Sequence, residues 1–122
     1  MNPAEAIAEL KELSTQIEAV VLASRDGHVT ASSLHGGAAD QVAASAGSLL
    51  GGADEVRRDM GRESLTQVQA VTPDGSVFVV VDSGRLAVAT TGPDPTVGLV
   101  FYDLKTLLRQ VENGASKEAA DA

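Results

Sequence analysis

Cysteine is absent from the 122-residue chain, which excludes disulfides and thiol chemistry and leaves composition silent on the redox compartment. Tryptophan is absent too, and aromatics make up 2% of residues, so the core must be built from Val, Leu, Ile and Ala. Cations are scarce: nine Lys and Arg face seventeen Asp and Glu, a net charge of −8. Such a chain has little with which to neutralise a phosphate backbone, which argues against nucleic-acid binding. The acidity itself is first a solubility device. No G-x-G-x-x-G and no Walker pattern occurs, so no phosphate-binding loop is expected. Long apolar runs are missing near the start, where Glu5, Glu9, Lys11 and Glu12 interrupt the first hydrophobic residues. Neither a signal peptide nor a membrane span is expected, and the plain reading is a cytoplasmic protein. The length fits one domain able to bury a core.

What is present centres on Ser76 to Thr91, two β-rich runs joined by Ser83-Gly84. This is a hairpin signal. Val77 to Val81 is apolar at every position, so Val77, Val79 and Val81 need cover on one face and Phe78 and Val80 on the other. Three helical patterns can supply it.

Taken in order, Asn2, Pro3 and Glu5 read as a helix start, and Ile7, Leu10, Leu13 or Ser14, and Ile17 recur at helical spacing, predicting a helix over Pro3–Gln16. Ala19–Ser24 follows as a two-sided strand, Arg25-Asp26-Gly27-His28 as a turn, and Val29–Ser33 as a more polar edge strand. Leu34-His35-Gly36-Gly37 is a loop whose glycines enter the next helix rather than bind an anion. That helix, Ala38–Met60, carries two adjacent stripes. One is Ala39, Ala43, Ala46, Leu50, Ala53 and Arg57; the other is Val42, Ser45, Leu49, Ala53, Val56 and Met60. Gly47, Gly51 and Gly52 lie between them, each costing up to about 1 kcal/mol against Ala. Either the core side of this helix has little room, or the helix is kinked or broken near Gly51, or it has two contact faces, one on its own sheet and one on a partner. Gly61 ends it.

Ser64–Thr72 reads as a second edge strand with no Pro or Lys from Leu65 to Val71 to block pairing with another chain. Gly92-Pro93-Asp94-Pro95 then breaks the hairpin, with Asp94 as N-cap and Pro95 opening a last helix. Its stripe is Val97, Val100, Phe101, Leu104, Leu107, Leu108 and Val111, with a stop near Asn113 and Gly114. A domain over 1–114 and a flexible tail over 115–122 follow. The order α-β-β-α-β-β-β-α implies an α+β sandwich: a five-stranded antiparallel sheet, helices 1 and 3 on one face, helix 2 on the other.

Catalytic groups are hard to assemble. His28 and His35 lack a paired acid or a second ligand at metal spacing and read as solvated. No catalytic residue, metal site or cofactor is expected. Arg57, Arg58 and Arg62 cluster at the end of helix 2, where they suit the helix dipole. A contact role for Arg57 and Arg58 is favoured over an arginine finger.

The ordered set of landmarks resembles the roadblock (dynein light chain, Roadblock/MglB-like) domain, a relative of the profilin-like folds. The set comprises Val-Leu-Ala-Ser-Arg-Asp-Gly-His-Val-Thr-Ala-Ser at 21–32, Ser-Leu-Leu-Gly-Gly-Ala at 48–53, Leu-Ala-Val-Ala-Thr at 86–90 and Val-Gly-Leu-Val at 97–100. The resemblance covers about residues 4 to 112 and implies a homodimer in which the third strand pairs with its mate beside paired copies of helix 2. Val42, Ala43, Ala46, Gly47, Leu50, Gly51, Leu65, Gln67 and Gln69 are then the expected seam. It also implies a small Ras-like GTPase as partner, bound and stimulated without donated chemistry, with Asp54, Arg57 and Arg58 as contacts. A ligand-sensing module and a purely structural adaptor are the alternatives.

Overall fold

The computed structural model describes residues 2–61 and 66–121. Its order is α1 (Pro3–Leu13), β1 (Ile17–Ser24), β2 (Val29–Ser32), α2 (Ala38–Asp59), β3 (Gln67–Thr72), β4 (Gly75–Asp82), β5 (Arg85–Thr91) and α3 (Val97–Asp121). The strands form one five-stranded antiparallel sheet in the order β2-β1-β5-β4-β3. Both edges are therefore the strands that read as polar.

The central hairpin aligns Val77 with Thr90 and Asp82 with Arg85. Ser83 and Gly84 both take positive φ, the geometry of a two-residue turn that matches strand twist. Alternation then sorts the side chains. Phe78, Val80, Ala87 and Ala89 join Ile7, Leu10, Leu104, Leu107 and Leu108 in a core beneath α1 and α3. Phe78 meets Phe101 edge-to-face, with ring centroids 5.0 Å apart. On the other face Val79, Leu86 and Val88 pack with Ala43, Ala46 and Leu50 of α2. The two-sided cover expected from Val77–Val81 is thus present, with α1 and α3 together and α2 opposite.

Helix boundaries differ from expectation where tertiary contacts outweigh local signals. Asn2 caps α1 as expected, its Oδ1 accepting from the Glu5 N–H at 2.9 Å. The helix stops at Leu13 rather than Gln16, because β1 begins early to pair Ile17 with Thr91. Asp94 is not the cap of α3: it sits in a turn at φ 58°. The Thr96 carbonyl instead accepts from Leu99 and Val100, while the Thr96 N–H donates to Gln16 Oε1 at 2.8 Å. Helical backbone also passes Gly114, since one glycine weakens a helix without ending it. Ser64 and Leu65, the expected start of β3, lie outside the described residues.

Candidate interaction surface

β3 is the outer strand of its sheet edge and bonds to β4 alone among the described residues. Pairing places Gln67 opposite Val80 and Gln69 opposite Phe78, on the α1/α3 side; Val68 and Ala70 lie on the α2 side opposite Val79 and Val77. Between this edge and α2 runs an open groove of about 370 Å³, with Val42, Ser45, Leu49, Ala70, Val77 and Thr90 in its walls. Its walls are mostly apolar.

The exposed stripe of α2 continues that surface. Leu49, Val56 and Met60 are exposed, the last two at 58% and 65%. They follow Val42 at helical spacing, so one side of α2 carries large apolar side chains that no described residue of the chain covers. The glycines match this picture. A Cβ at Gly51 or Gly52 would meet open space, and one at Gly47 only the Arg25 carbonyl at an ordinary 3.8 Å. Packing within the chain therefore does not require glycine at these positions, which removes the explanation that the core side lacks room.

The expected seam residues occupy different positions in the single chain. Ala43, Ala46 and Leu50 are buried against their own sheet, because they fall on the stripe facing Val79 and Val88. Val42, Gly47 and Gly51 are half-buried: Val42 borders the groove, whereas Gly47 and Gly51 flank the other side of the buried stripe, Gly47 toward the Arg25 carbonyl. Gln67 and Gln69 project to the sheet face away from α2, so only their backbone edge adjoins the groove. Leu65 is outside the described residues. Ser45, Leu49, Val56, Met60 and Ala70 are the surface residues that the expectation left out. The stripe Val42-Ser45-Leu49-Val56-Met60 was the signal for most of them.

Asp54 is 4% exposed in the single chain. Its Oδ2 accepts from Arg25 Nη2 at 3.3 Å and lies 4.0 Å from Arg58 Nε, one turn on. Arg25 belongs to the β1–β2 turn, whose backbone is tied to the next turn by the Arg25 N–H donating to the Gly84 carbonyl at 3.0 Å. Asp54 therefore pins the end of α2 to two turns of the sheet. Arg57 and Arg58 remain exposed beside it.

Chemistry elsewhere is sparse. His28 and His35 are exposed, and no group of His, Asp or Glu side chains among the described residues could hold a metal ion. No helix among them is long and apolar enough to cross a membrane. Asp26, whose carboxyl accepts a hydrogen bond from the Ser24 hydroxyl, is held below its ordinary range by that bond and by the His28 backbone, as a turn former would be.

Solved structures of similar shape follow this fold closely. A roadblock/LC7 domain from Streptomyces avermitilis has a TM-score of 0.86 at 21% identity, over 95% of this chain and 99% of that one. Myxococcus xanthus MglB has a TM-score of 0.78 at 12% identity, over 93% and 95%. Acanthamoeba castellanii profilin II has a TM-score of 0.65 at 13% identity, over 91% and 98%. A search of curated proteins returned no match. The family description Roadblock/LC7 domain matches residues 4–94, and the chain belongs to that family.

Proposed function

We propose that this chain is a homodimeric regulator and scaffold for a small Ras-like GTPase. The observation that carries the reading is the coincidence of an open β3 edge, an uncovered apolar stripe on α2 and the groove between them. Family membership and the likeness in fold to MglB support it. A two-fold pairing of β3 with its mate continues the sheet across the seam and brings the two copies of α2 together over Leu49 and Val56. The GTPase docks near Arg57 and Arg58, with Asp54 holding the local framework from beneath. Stimulation comes from ordering the GTPase's switch loops rather than from donated chemistry. Small-molecule sensing is less well supported, because the groove is an open feature of the seam rather than an enclosed cavity.

Light scattering across a dilution series tests the seam. Twice the 12.4 kDa chain mass is expected, with Leu49→Glu returning the single-chain mass while keeping its helical and sheet signal. A wild-type chain that stays monomeric at every concentration would sink the proposal. GTP hydrolysis by small Ras-like GTPases, with and without the dimer, then separates the roles. A faster rate supports regulation; tight binding at an unchanged rate leaves the adaptor alone.

A further inference from the structure

The sheet face opposite the seam carries a second, smaller groove between α1 and α3. Its volume is about 80 Å³, several times the roughly 10–15 Å³ that one water requires. Ala6, Leu10 and Leu107 give it an apolar floor, and Leu13, 77% exposed, stands at its rim. The charged residues lining it are Glu9 and Asp103. Neither has a cation within ion-pair distance among the described residues. Burial pushes the Asp103 carboxyl above its ordinary range. The buried Ser14 hydroxyl lies close enough to oppose that shift but outside hydrogen-bond geometry. Tyr102 and Leu99, both exposed, extend the apolar surface along α3.

We propose that this groove docks a basic–aliphatic segment of a partner protein, one aliphatic side chain seated on Leu10 and Leu107 and a neighbouring Lys or Arg paired with Glu9 and Asp103. Charge decides among the possible occupants. A second copy of this chain, placed symmetrically, would set Glu9 and Asp103 against their own mates, and like charges across an interface oppose binding. Nucleic acid and anionic lipid are repelled for the same reason. A cation supplied by a partner offsets both carboxylates at once. The groove lies on the sheet face away from α2, so pairing through β3 leaves it open, and the inference does not depend on that seam.

The test uses the full chain, isotopically labelled, with a short amphipathic helix of leucine and lysine as probe, followed by amide chemical shifts. Saturable shifts confined to α1 and the first half of α3 are expected. Glu9→Gln with Asp103→Asn should weaken binding by about tenfold or more, a loss of one step on the logarithmic affinity scale. Asp40→Asn with Glu55→Gln on α2 makes the same change in charge and should leave affinity within about twofold. A lysine-only peptide should bind at least about tenfold more weakly than the amphipathic one. Shifts spread over α2, an equal loss in the α2 variant, or equal binding of the lysine-only peptide would each overturn the proposal.

Discussion

At Gly75 a Cβ would run into the Thr91 carbonyl oxygen across the sheet. The contact is with backbone, which cannot swing aside, and both residues are buried at the β4–β5 border. Gly75→Ala should therefore destabilise the fold by about 1–3 kcal/mol, measured as a lowered midpoint in urea unfolding. Asp103 makes the opposite case. In the folded chain its ionised form is the disfavoured one, so it detracts from stability above its raised folded pKa. That penalty fades as pH falls through the folded value and is gone below the ordinary 3.8. Asp103→Asn should raise Tm at neutral pH, with the gain shrinking toward zero in acid. Glu9 is the other carboxylate of that groove and is unchanged in the comparison. A gain of equal size at every pH would mean that packing, not charge, is responsible.

Among the elements, α2 carries the sharpest contrast between what its own chain needs and what its sequence holds. Gly52 is exposed, helical and free of neighbours. Gly52→Ala should stabilise the chain by about 0.5–1 kcal/mol, since the unfolded state loses freedom and no contact is strained. A matching drop in stability would reveal a close contact at that position. The hairpin at 76–91 was legible in the sequence because both of its faces are apolar and its turn is marked. The layering followed from it. The end of α1 was not legible, because Thr15 and Gln16 carry no stop signal and the decision is made by Ile17 pairing with Thr91, far along the chain. Asp94 and Pro95 form a persuasive local cap signal that loses to the contact between Gln16 and Thr96. At the candidate seam, two neighbouring apolar stripes on α2, one of small residues and one of larger ones, left open which one faces the sheet. Asp54 reads as a surface acid on a helix, and its burial depends on Arg25, 29 residues away. No local pattern announces such a pairing.

For the molecule as a whole, the two sheet faces serve different ends. One packs α2 with an apolar margin left over; the other packs α1 and α3, with an acidic cleft between them. A dimer through β3 would carry two such clefts, so a partner presenting two basic segments would gain from holding both at once. The two sheet edges are also unequal. β2 spans only Val29–Ser32, and its pairing with β1 shifts register between Leu22 and Ala23. Joining two chains through β3 leaves a β2 at each outer end, too short and too irregular to recruit another strand. Growth along the sheet then terminates itself after one addition, and the edge that invites a partner does not become a template for a fibre.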